Sequence, residues 1–163
     1  MPFTTTSWIC DACRRPIRHA DDGWVEWIEL PVPDDAPSLI RDLRLVHSHS
    51  ASPIRPGACQ FDGDREYAKD GGAVADFALA EFLGADGLMH LLEMVVEQGE
   101  PSPRLFELIK RLHVPGYEHA RPHFSAAIAA GIVDPTAPFG YWRQGDIRRV
   151  LAFALETKRR RNR

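Results

Sequence analysis

Cysteine is scarce in this chain: three among 163 residues. An odd and sparse set excludes a disulfide framework. No apolar run approaches the ~18 residues that a membrane-spanning helix needs. The first residues, Met1 to Thr6, have no basic stretch leading into an apolar one, so no secretory signal is expected. These absences predict a cytoplasmic protein with no membrane partner. There is no Gly-x-x-x-x-Gly-Lys loop to cradle phosphate and no Gly-x-Ser-x-Gly elbow to present a nucleophile. No His-x-Glu precedes a Pro-Cys-x-x-Cys, which excludes the zinc deaminase signature. What is present suffices for an ordered core, with 44% apolar and 26% charged residues.

Net charge is -3, which by itself favours no nucleic-acid partner. Its distribution is uneven. From Arg148 to Arg163 seven basic residues face one acid, Glu156, so this end is +6 and residues 1–147 carry -9. A basic end on an acidic body suits a phosphate-seeking arm or a solvated tail.

Composition shifts across residues 62–72, from Asp62-Gly63-Asp64 to Asp70-Gly71-Gly72. Two modules are expected, over 1–66 and 73–163. In the first, Trp24 to Leu30 reads as a strand stopped by Pro31 and Pro33, and Leu43 to His49 as a second strand. Two short strands make a meagre core. In the second, helices are expected over Val74–Leu83, Gly87–Gln98, Pro103–Val114 and Tyr117–Ala130, with a last one from Asp146. Gly84, Gly99, the Pro115-Gly116 pair and Gly131 punctuate them. Ile132-Val133 and Phe139 to Trp142 flank a turn and suit a small hairpin. Helical spacing brings Leu88, Leu92, Leu105, Ile109, Phe124 and Ile128 into one expected core. The fold class is therefore α+β.

Cys10-Asp11-Ala12-Cys13 is the strongest chemical signal. Two thiols two residues apart on a tight turn reach one tetrahedral ion. A redox pair would be framed by a βαβ unit, which does not follow here. The remaining alternative is three unrelated reduced thiols. The knuckle with its Pro16-Ile17 exit resembles those of zinc-ribbon and treble-clef modules, but no second Cys-x-x-Cys follows. The missing ligands must come singly, from Cys59 and from His47 or His49, with His47 favoured as nearer the body of its strand. A Zn2+ site of Cys10, Cys13, His47 and Cys59 has all positions filled and is structural. Metal affinity would then be folding energy for a module short of core.

Downstream, a helix ending near Gly99, a capped helix closing on Leu112-His113-Val114, a tight turn, a further helix and Ala130-Gly131-Ile132-Val133 follow in order. This order resembles the winged helix-turn-helix family across roughly residues 87–144. The resemblance implies a second helix laid in the major groove. Tyr117, Glu118, His119, Arg121 and His123 would then face bases, with Arg121 the guanine reader. Arg143 at the wing and Lys158, Arg159, Arg160 and Arg161 would reach phosphates. His119 and His123 share a helix face, but no sequence feature supplies them a third ligand. Taken together these features predict a non-catalytic, zinc-containing DNA-binding or regulatory protein. The alternatives are a protein-interaction adaptor on the same scaffold and, third, a zinc-dependent hydrolase with an open metal position.

Overall fold

The computed structural model describes residues 7–37, 39–98, 102–135 and 141–162. The chain is mixed α+β and divides into two compact units, Thr6–His113 and Val114–Arg163.

The first unit is built on a three-stranded antiparallel sheet. Its central strand β3 (Gly23–Leu30) lies between β4 (Leu39–His47) and β5 (Ala73–Ala78). A two-residue pair, β1 (Trp8–Ile9) with β2 (Pro16–Ile17), precedes it. Registers Gly23↔His47 and Glu26↔Arg44 align β3 with β4. The ladder is irregular between Glu26 and Ile28. Alternation along β3 and β4 sends Val25, Trp27, Leu43 and Leu45 into the main core with residues of α2 (Gly84–Glu97) and α3 (Pro103–His113). From the helices come Leu91 and Met94, then Leu105, Leu108 and Leu112. Glu26 and Ile28 are also fully buried. Gly72 closes over Ile28, where a Cβ would stand 2.5 Å from Ile28 Cγ2.

Three expectations change here. The segment expected as a helix over Val74–Leu83 is β5 followed by a 3-10 turn, Leu79–Phe82. Without β5, one edge of the buried strand β3 would leave backbone N–H and C=O groups unpaired, and that cost outweighs local helix propensity. Residues 62–72 are no linker. They form α1 (Gly63–Asp70), capped by the Asp62 carboxylate on the Arg65 N–H and ended by Gly71 at φ +75°. No α1 side chain is buried; the helix is held by Arg41, whose guanidinium meets Glu66 at 2.7 Å and Asp70 at 3.1 Å. Because β5 completes the sheet, the division expected between residues 66 and 73 falls instead after His113.

The third change is the inward face of α2. Gly87, Leu91 and Met94 are buried, Leu88 is half-buried and Leu92 is 44% exposed. A Cβ on Gly87 would come within 2.1 Å of the Phe82 carbonyl carbon, so the helix rests its glycine on the preceding turn. That contact fixes the rotation of α2, and the periodicity alone missed it.

The second unit, among its described residues, is helical: α4 (Tyr117–Ala120), a 3-10 turn Arg121–His123, α5 (Phe124–Ala129) and α6 (Gln144–Arg161). Tyr117, Ala120, Phe124, Ala127, Val133, Ile147 and Val150 form its core, and Trp142 stacks on Phe124 at 4.4 Å. Phe124 and Ile128 therefore belong to a different core from Leu105 and Ile109. The single helix expected over Tyr117–Ala130 is broken at Pro122, which has no N–H to donate and whose ring would strike the Glu118 carbonyl. Ile132, Val133, Tyr141 and Trp142 are in no strand, while Phe139 and Gly140 lie outside the described residues.

The rotation of α2 has a direct test. Leu91→Ala should lower unfolding free energy by about 2–5 kcal/mol, whereas Leu92→Ala should cost less than about 1 kcal/mol. Denaturant unfolding of both variants reads the difference; equal losses would contradict the face described.

Candidate metal centre

The β1–β2 turn carries Cys10 and Cys13. The Cys10 N–H donates to the Arg15 carbonyl at 3.0 Å, and the Arg14 N–H to the Cys10 carbonyl at 2.9 Å. The Cys13 N–H points at Cys10 Sγ, 3.5 Å away. The turn closes by taking Arg14 through φ +62°, a left-handed conformation that costs a non-glycine residue about 1–2 kcal/mol. A compact knuckle results, with both sulfurs on one side.

Four side chains converge there. One ligand atom each from Cys10, Cys13, His47 and Cys59 lie within 4.8 Å of one another, so the cluster could hold a metal ion. His47 ends β4 and is buried; its Nδ1 stands 3.4 Å from Cys13 Sγ and 3.9 Å from Cys59 Sγ. Its Nε2 lies 3.3 Å from the Pro16 carbonyl. A carbonyl only accepts, so that contact places the proton on Nε2 and leaves the Nδ1 lone pair toward the sulfurs. An outer carbonyl that fixes the tautomer is the usual support for a ligating imidazole. His49, the alternative ligand, is exposed beside Gly57 and outside the cluster. The strand ends at His47, and the chain turns before His49 could share its face.

The thiols differ electrostatically. Burial pushes the Cys59 thiol up to about 12, reinforced by the neighbouring Cys10 and Cys13 sulfurs. Burial also works upward on Cys13, but the Arg15 N–H, the Cys10 and Cys59 side chains and the Arg15 charge together hold it below the ordinary value. Three sulfurs and an imidazole gathered within 4.8 Å form a soft donor set compatible with zinc-type coordination chemistry.

Sequence reasoning left out the groups that hold the knuckle in place. Asp11, inside the Cys-x-x-Cys, accepts from the Leu45 N–H at 2.9 Å while its own N–H donates to the Leu45 carbonyl at 2.8 Å. Arg111 of α3 is buried, pairs with Asp11 at 2.7 Å and donates to the Ile9 carbonyl at 2.7 Å. Arg111 was legible only as the basic end of a helix; its partner lies a hundred positions away.

The residues expected to contact DNA are less uniform. Tyr117 and Glu118 are buried. Arg121 pairs with Glu118 at 3.3 Å. His119 and His123 line an open groove of about 830 Å³ with Leu151, Ala154, Leu155, Lys158 and Arg161. Among the described residues, the Cys10, Cys13, His47 and Cys59 group is the only one gathered as a metal cluster. Arg143 precedes α6 and is exposed, as are Lys158, Arg159, Arg160 and Arg161 in its last turns. No helix among the described residues is long and apolar enough to cross a membrane. No family model, curated protein or solved structure matches this chain.

Arg121 thus supports a buried carboxylate. Arg121→Ala should destabilise the 114–163 unit by about 1–3 kcal/mol, less than for a fully buried pair because its side chain is 23% exposed. Arg143→Ala should change stability by under about 0.5 kcal/mol. Thermal or denaturant melts of the two variants check the contrast.

Proposed function

We propose that this chain is a non-catalytic binding protein, its first unit built around one structural Zn2+ and its basic helix α6 directed at nucleic-acid phosphates. The closed Cys₃His donor set carries the reading. Cys10, Cys13, His47 and Cys59 would fill all four tetrahedral positions, and a zinc site that activates water keeps one open. That argues against the hydrolase alternative. Bound Zn2+ would supply cross-linking: it would tie the β1–β2 knuckle, the end of β4 and the Cys59 loop to one point.

Phosphate contact needs only reach and charge. The exposed run Lys158 to Arg161 at the end of α6, with Arg143 at its start, supports this mode. Base reading by the 117–130 segment has less support, since Tyr117 and Glu118 are buried and Arg121 is paired. Sequence-tolerant binding to DNA is the favoured form. The adaptor reading is favoured by a different observation, the exposed apolar residues Met89, Leu92 and Val96 along one stripe of α2.

Protein purified without chelator should carry one zinc per chain by elemental analysis. Less than about 0.2 equivalents would sink the metal assignment. Binding to a random-sequence duplex at ~50 mM salt should weaken as salt rises, with log K falling by about 0.9 per phosphate contact. Removing residues 158–163 should weaken all sequences alike and flatten that slope. No duplex binding at low salt would move the assignment to the adaptor.

A further inference from the structure

Arg44 of β4 joins a buried carboxylate of the sheet to the segment that carries Cys59. Its Nε and Nη2 hold Glu26 Oε1 at 2.6 and 2.5 Å, across the Glu26↔Arg44 register of β3 and β4. The same Nη2 donates to the Cys59 carbonyl at 3.1 Å. Its guanidinium carbon stands 3.4 Å over the Phe61 ring, and the Phe61 N–H donates to Glu26 Oε2 at 3.3 Å. Glu26 is fully buried, so breaking this group would leave a carboxylate without water or partner.

The loop after β4 must bring Cys59 back to His47, and few other groups tie it down. Gln60 Nε2 donates to the His47 carbonyl, and Ser52 Oγ donates to the Ser48 carbonyl at 3.2 Å. Both of these bonds lie within the loop and the end of its own strand. Arg44 and Glu26 add direct bonds from the paired positions of β3 and β4 to residues 59 and 61. Arg44 contacts the chain on both sides of Gln60, at the Cys59 carbonyl and at the Phe61 ring.

We propose that Arg44 is a positioning residue of the metal centre, setting Cys59 for coordination, with Glu26 holding Arg44 in place. The inference rests on the four-ligand reading and adds to it the group that presents its fourth corner. Lysine cannot substitute, because the function uses a planar fork that spans a carboxylate and a carbonyl while stacking on a ring.

The test uses the full chain loaded with Co2+ as a spectroscopic stand-in, together with Zn2+ competition against a chromophoric chelator. Wild-type protein should give a tetrahedral visible spectrum with the thiolate-to-cobalt charge-transfer intensity of three sulfurs. Its absence would overturn the four-ligand reading itself. Arg44→Lys should bind Zn2+ about 10–100-fold more weakly, the usual range for loss of an outer-shell partner. Its cobalt charge-transfer band should fall toward that of Cys59→Ser, with far-UV circular dichroism retained. Should Arg44→Lys fail to fold, Phe61→Leu keeps the apolar volume and removes only the ring face, and a several-fold weaker affinity with altered cobalt bands is expected. A folded Arg44→Lys, or in its place a folded Phe61→Leu, with wild-type affinity and spectrum would overturn the inference while leaving the four ligands standing.

Discussion

In the first unit, Cys59 and His47 are brought to the Cys10–Cys13 knuckle. Residues 10, 13, 47 and 59 come from a turn, a strand end and a loop, and no single element positions more than two of them. Where they meet, Cys10 and Cys59 are buried in the same core as Leu45 and Trp8. The cluster is therefore part of the packing as well as a donor set, and any ion held there would cross-link that core from inside.

Two ion pairs, each with one buried partner, lie on segments that carry the cluster's cysteines. Asp11 with Arg111 ties the knuckle to β4 and α3, while Glu26 with Arg44 ties the Cys59 segment to the sheet. Buried ion pairs are weak sources of net stability, since desolvation offsets much of their attraction. Their directional bonds to the Ile9, Leu45, Cys59 and Phe61 backbones point to a different role. They set where chain segments without regular structure lie, which is what a coordination site of this size demands.

Much of the site was legible in the sequence. A Cys-x-x-Cys has one short-range geometry, and a lone Cys59 with two histidines left few completions. His47 is preferred to His49 as nearer the body of a strand expected to reach His49, and only the fold shows the strand ending at His47. The supporting pairs were not legible, although a signal existed: Glu26 sits among Val25, Trp27 and Ile28, where a charge must find a buried partner. The strand register that supplies Arg44 is a tertiary fact. β5 was missed for a related reason, because its pairing with β3 outweighs the local pattern of Val74 to Leu83. In the second half, the order of helices is readable, while the break at Pro122 and the burial of Tyr117 and Glu118 emerge only in the fold.

With Zn2+ bound, three sulfurs and one imidazole would close a single metal site. X-ray absorption at the zinc edge of the full chain measures this directly. A closed Cys₃His site should show a four-coordinate shell of three sulfurs at ~2.3 Å and one nitrogen at ~2.0–2.1 Å, with no water oxygen. A shell dominated by nitrogen and oxygen, or one with fewer than three sulfurs and a bound water, would contradict it.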